Sequence, residues 1–155
     1  MIRNRREFVK VSGVLGLMAA AGLITMKEAR AQQQAWNKAA FDTKSLEDTV
    51  KALGGSATAP SGDITITAPD IAENGAVVPV AVTSKIPNTQ GIYVLVEKNP
   101  NALAAGFTIP AGTEPSVSTR IKMGQTSNVH AVVKADNKFY VATKEVKVTL
   151  GGCGG

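Results

Sequence analysis

Apolar residues recur along this chain in two rhythms, and the change between them marks its organisation. Trp36, Ala39, Ala40, Leu46, Val50 and Leu53 follow one another at roughly helical spacing, and Gly54-Gly55 supplies a stop. A break near Phe41 divides this stretch. Asp42 or Thr43 is placed to cap a second short helix, with Glu47 and Asp48 in its first turn, where carboxylates complement unpaired N–H groups. The stripe reads as a face packed on its own domain or on a partner, rather than as a cofactor site.

From Gly62 the period shortens to two. Ile64, Ile66 and Ala68 alternate with Thr65 and Thr67, the pattern of a strand with one buried face. Glu73-Asn74-Gly75 marks a turn, and a second run covers 76–83. Pro79 within it has no N–H for a ladder, so it is expected at an edge or a bulge. Further strands are expected at 91–97, 106–109, 117–123, 128–135 and 138–150, with Asp136-Asn137 turning the last two into a hairpin. In the final run Phe139, Val141 and Thr143 share one parity, while Val146, Val148 and Leu150 share the other. That switch predicts a bulge near Lys144, returning the apolar side chains to the core face. The inward Val146, Val148 and Leu150 would then anchor whatever follows.

About seven short strands with turn signals predict a mostly β chain: an immunoglobulin-like antiparallel β-sandwich preceded by a short N-terminal helical segment. The inter-sheet cysteine pair of antibody domains is absent and the sole tryptophan, Trp36, lies in the helical stretch, so the likeness is architectural.

The first 31 residues change the charge picture. Arg3, Arg5, Arg6 and Lys10 precede an apolar run over 11–26, followed by the small-residue cleavage site Ala29-Arg30-Ala31. This is the form of an export signal. The run is rich in Gly and Ala and shorter than the roughly 20 residues of a comfortable membrane span, so no membrane anchor is expected in the mature form. Arg5-Arg6-Glu7-Phe8-Val9-Lys10 resembles a twin-arginine signal, with Asn4 and Val9 departing from the usual pattern; an ordinary secretory signal is the alternative. Either assigns a mature chain from Gln32 and an extracytoplasmic, periplasmic location. The signal holds six of the 17 basic and two of the 12 acidic residues, leaving 11 and 10 and a net charge of +1. No basic block remains to follow a phosphate backbone, so no nucleic-acid partner is expected.

The expected organisation is therefore a signal over 1–31, a helix-plus-sandwich domain over 32–150, and a flexible arm over 151–155. The arm is Gly151-Gly152-Cys153-Gly154-Gly155 and holds the chain's only cysteine. Four glycines beside one thiol favour many backbone states and leave the sulfur on a narrow tether. No other residues form a catalytic set. His130, the single histidine, lies in the apolar run 129–133 and reads as structural or surface-placed. One Cys and one His do not make a zinc site. No phosphate-binding glycine loop occurs, and Met123 is the one methionine of the mature chain. No cofactor and no metal are expected. An ordinary thiol has a pKa near ~8.5, and the arm carries no cation to lower it. Activation would have to come from another protein, which points to a substrate-bearing carrier rather than an enzyme.

Together with the export signal, the helical start and the sandwich pattern, the terminal Gly-Gly-Cys-Gly-Gly resembles the SoxY family, the carrier subunit of bacterial sulfur-oxidation (Sox) systems. The segments 72–80 (Ala-Glu-Asn-Gly-Ala-Val-Val-Pro-Val), Lys98-Asn99-Pro100 and 106–110 (Gly-Phe-Thr-Ile-Pro) also look like that family. The resemblance implies that Cys153 carries thiosulfate-derived sulfur and that a separate SoxZ-like subunit forms a heterodimer with the chain. It further implies service by a c-type cytochrome, a sulfate-releasing hydrolase and, in some organisms, a sulfur dehydrogenase. Two other readings stay open on the residues alone. One is an extracytoplasmic assembly or adhesion sandwich cross-linked through Cys153. The other is a ubiquitin-like carrier charged at its terminal Gly-Gly carboxylate, which export and the sandwich pattern disfavour.

Overall fold

Two short helices lead into nine strands in the computed structural model, which describes residues 37–149. Helix α1 (Lys38–Phe41) opens on Asn37, whose side chain accepts a hydrogen bond from the Ala40 N–H at 3.2 Å. Helix α2 (Leu46–Ala52) is capped by Ser45, not by Asp42 or Thr43: the Ser45 hydroxyl accepts from the Asp48 N–H at 3.1 Å. Ser45 has the extended backbone a cap needs, whereas Asp42 closes α1 and the Thr43 hydroxyl donates back to the Ala40 carbonyl. Gly54 ends α2 in the left-handed region at φ +89, and its N–H and that of Gly55 bond the carbonyls of Lys51 and Val50. That is a Schellman closure, and it falls at the helix stop expected of the paired glycines.

The strands are β1 (Thr58–Pro60), β2 (Ile64–Thr67), β3 (Ile71–Ala72), β4 (Val78–Ser84), β5 (Thr89–Val96), β6 (Leu103–Thr108), β7 (Ser116–Ile121), β8 (Ser127–Ala135) and β9 (Lys138–Val148). One sheet runs β1-β9-β8-β5-β6, with β3 also on β9; the other runs β2-β4-β7. Pairing is antiparallel except where the short β1 and β3 join β9 in parallel. Neither short strand has an alternating pattern to announce it. Val78, Val80 and Val82 of β4 meet Ile92, Val94 and Val96 of β5, Val129, Ala131 and Val133 of β8, and Val146 of β9 in the core. The architecture is the expected immunoglobulin-like sandwich.

A second apolar cluster covers the outer face of the larger sheet. Leu95, Leu103, Val132 and Phe139 pack there with Ala40 and Val50 of the helices. The helical stripe thus serves its own domain, although Ala39 is exposed. Because the helices cover the outer face of β9 at Phe139 and Val141 while its other face packs on the sandwich core, it needs no bulge near Lys144. Its register with β8 is unbroken from Lys138↔Ala135 to Val146↔Ser127. Phe139 and Val141 face the helices, while Tyr140, Ala142, Val146 and Val148 face the sandwich core. The parity switch records two cores rather than a kink.

Pro79 also sits differently from a simple edge. β4 is the middle strand of its sheet, but β2 pairs only as far as Ala81, so Pro79 has a strand neighbour on the β7 side alone, at Arg120. Asp136 and Asn137 both have positive φ (47 and 61) and join β8 to β9, as a two-residue type I′ turn requires. No helix of the described residues is long and apolar enough to cross a membrane. The expected signal over 1–31, Trp36, Leu150 and the arm over 151–155 lie outside the described residues.

Candidate functional site: the root of the C-terminal segment

Cys153 and its glycines 151, 152, 154 and 155 lie beyond the last described residue, Thr149, and Arg5 and Arg6 precede the first. The described part of the site is therefore the ground from which the terminal segment leaves. There β9 outruns its main partner. β8 begins at Ser127, opposite Val146, so the ladder on that side ends before Lys147.

Two features take over the backbone groups of residues 147–149. On the β8 side, the Thr126 hydroxyl accepts from the Val148 N–H at 2.9 Å and donates to the Val148 carbonyl at 3.5 Å. On the opposite side β3 runs parallel, with Ile71 beside Lys147 and Ala72 beside Val148. The Lys147 N–H donates to the Asp70 carbonyl at 2.9 Å and the Thr149 N–H to the Ala72 carbonyl at 3.1 Å. Paired amides open less readily than free ones, so this clasp holds the backbone of residues 147–149.

The surrounding loops are tied to one another. Gly75 lies so close to its neighbours that a Cβ would run into the Met123 carbonyl oxygen and approach Val148 Cγ1. The Met123 N–H in turn donates to the Gly75 carbonyl at 2.7 Å. The Asn99 side chain donates to the Lys122 carbonyl and accepts from the Gly124 N–H. Lys144 reaches the Ala68 carbonyl at 2.6 Å and Asp70 at 3.0 Å, holding the segment that leads into β3.

This end of the sandwich also carries Ile71 and Val77, 57% and 49% exposed, the exposed large hydrophobics among the described residues. The turn signal at 73–75 could have located part of the clasp. Thr126 and the two-residue β3 gave no sign, because their partners are distant in sequence.

His130 takes the structural position expected of it. Its Nδ1 is 2.9 Å from Thr143 Oγ1 and its Nε2 3.7 Å from Glu97, which also accepts from Asn128. Burial pushes its pKa below the usual histidine value, while the Glu97 and Glu47 carboxylates pull the other way. Among the described residues no group of three or more His, Cys, Asp or Glu is placed to hold a metal ion. A groove of about 710 Å³ lined by Ile86, Thr89, Thr108, Pro110 and Asp136 lies at the other end of the strands, where β9 begins.

The family described as "Sulfur oxidation protein SoxY" matches residues 50–153, from within α2 to the terminal cysteine. Among solved structures the chain is similar to the sulfur carrier protein SoxY from Chlorobium limicola f thiosulfatophilum. The identity is 39% and the TM-score 0.59, covering 66% of this chain and 96% of that one. No curated protein sequence matches. A two-sheet sandwich of this topology, with a family match that ends on the lone thiol, places the chain in the SoxY family.

Proposed function

We propose that this chain is a non-catalytic sulfur carrier that works in the periplasm after export by the twin-arginine route. Cys153 is the attachment atom, and residues 151–155 are a flexible arm that presents the cargo to successive enzymes. The observation that carries this reading is the match to a sulfur-carrier family running as far as Cys153, four residues past the clasped Thr149.

The chemistry follows from what a thiol can do. Thiosulfate couples oxidatively to the Cys153 thiol: an S–S bond forms, one proton leaves the thiol, and two electrons pass to a c-type cytochrome. Hydrolysis by a separate enzyme then breaks the bond between the outer sulfane sulfur and the sulfonate. Water supplies the fourth oxygen of the departing sulfate, the S–S electron pair stays on the sulfane sulfur, and a Cys153 persulfide remains. A sulfur dehydrogenase, where present, passes six electrons from that outer sulfur to a cytochrome acceptor while water supplies three oxygens, giving a second sulfonate that is hydrolysed in the same way. Covalent attachment raises the effective concentration of a small anion that would otherwise diffuse away between enzymes. A SoxZ-like subunit completes the carrier as a heterodimer.

Intact-mass measurement after exposure to thiosulfate, the oxidising cytochrome and the sulfate-releasing hydrolase is expected to show sulfonate and sulfane adducts on Cys153. They are expected to be absent from Cys153→Ser. Adducts that persist in that variant overturn the assignment, and reducible disulfide dimers without any sulfane adduct point instead to a cross-linking role.

A further inference from the structure

We propose that Asn74 is a modification site, where ring closure onto the Gly75 nitrogen and opening by water leave an isoaspartyl link that loosens the hold on Val148. The chemistry needs no partner enzyme and is independent of the carrier reading. Asn74-Gly75 is the single Asn-Gly pair in the chain. Glycine has no Cβ to shield its nitrogen and the freest backbone, so closure after an asparagine is easiest when glycine follows.

The turn presents the reacting groups to each other. Asn74 is exposed, so water reaches it. Its Oδ1 accepts from the Ala76 N–H at 2.9 Å, and its backbone carbonyl accepts from the Val77 N–H at 3.3 Å. A turn of this kind folds the carboxamide back over the peptide that follows, which contains the attacking Gly75 nitrogen. The hydrogen bond to Oδ1 also draws electron density from Cγ, the atom attacked.

The steps balance without an oxidant. The Gly75 nitrogen gives its proton to hydroxide and bonds to Cγ; the Cγ–Nδ2 bond breaks, and the nitrogen takes a proton from water and leaves as ammonia. Water then adds to the cyclic imide. Attack at Cγ gives aspartate, and attack at the backbone carbonyl carbon gives isoaspartate, whose main chain runs through Cβ and Cγ.

That link adds one methylene to the main chain before Gly75, which has no room for it. Gly75 is buried, its carbonyl accepts from the Met123 N–H at 2.7 Å, and a Cβ on it would run into the Met123 carbonyl oxygen and approach Val148 Cγ1. An isoaspartyl link therefore moves Gly75 off Met123 and Val148. The same contacts slow ring closure in the folded chain, because closure turns the Gly75 peptide against them.

The test incubates the purified full chain in mildly alkaline heavy-oxygen water. Peptide mapping reads isotope uptake at Asn74 and at the exposed Asn101, which precedes Ala102. An isoaspartyl carboxyl methyltransferase identifies the link, and hydrogen exchange is read at Val148 and Thr149. Uptake at Asn74 is expected to exceed that at Asn101 by about ten-fold, since the Ala102 Cβ crowds the corresponding nitrogen. In the isoaspartyl fraction, exchange at Val148 and Thr149 is expected to accelerate by about five- to ten-fold. Asn74→Ser keeps an oxygen for the Ala76 N–H but forms no imide. It is expected to take up no isotope at that position and to keep the parent's exchange.

Equal uptake at Asn74 and Asn101 overturns the site. Isoaspartate at position 74 with unchanged exchange at Val148 and Thr149 overturns the loosening, as does equal acceleration in incubated Asn74→Ser. None of these readouts depends on Cys153, so the carrier reading stands or falls separately.

Discussion

At the scale of single residues, His130 shows how a chemically capable side chain can be retained for packing. It lies on β8 between Glu97 and Thr143, its side chain only 14% exposed. Burial is the largest influence on its pKa and lowers it; Glu97 and Glu47 oppose the shift without reversing it. The unfolded chain therefore takes up this proton more readily than the folded one. Stability from this group is complete above the ordinary histidine value near 6.5 and declines as pH falls below it. The decline stops once the folded state is also protonated. Urea unfolding from pH ~7.5 down to ~5 is expected to show a falling midpoint, with a shallower fall in His130→Gln. An unchanged pH profile in that variant contradicts the assignment. The sequence placed His130 correctly in an apolar run, but not its neighbours Glu97 and Glu47, which come from β-turn and helix segments distant along the chain.

Among the elements, β9 is the one on which the site depends. Its first half is fixed by an ordinary hairpin, and its last residues are fixed by Thr126 and β3 after β8 has ended. Thr126→Val keeps the shape and removes the hydroxyl, leaving the Val148 N–H without its acceptor. An unmade bond of this kind costs about 1 kcal/mol, and more where water cannot replace it. Hydrogen exchange at Val148 and Thr149 is expected to accelerate by about five- to ten-fold at that cost, while exchange in the centre of β8 stays slow. Uniform acceleration throughout the sheet is the result that contradicts a local clasp. Strands with clear alternation, such as β2 and β4, were legible from their residues; β1 and β3 were not. A two- or three-residue strand has too few positions to show a period, and it forms because β9 offers an unpaired edge.

For the whole molecule, the decisive feature is the third layer. Phe139 is nearly fully buried against the helices although it lies on the face away from the sandwich core. Phe139→Ala is expected to lower stability by about 3–5 kcal/mol, as deletion of a core aromatic does, rather than by the few tenths typical of a surface position. Helical and β signals in circular dichroism are expected to disappear in one transition, since α2 and the sheet share this cluster. Early loss of the helical signal alone contradicts a single cooperative unit.

The sequence by itself determined the sandwich class, the I′ hairpin at Asp136-Asn137, the helix stop at Gly54-Gly55 and the presence of one thiol near the C terminus. These depend on residue type and short-range spacing, which a single chain displays. Only the tertiary structure decided that β9 runs without a bulge, that Ser45 caps α2, and that Thr126 and Ile71–Ala72 hold the root of the terminal segment. Each of these depends on which distant backbone or side chain fills the space beside a residue, and periodicity carries no record of that neighbour.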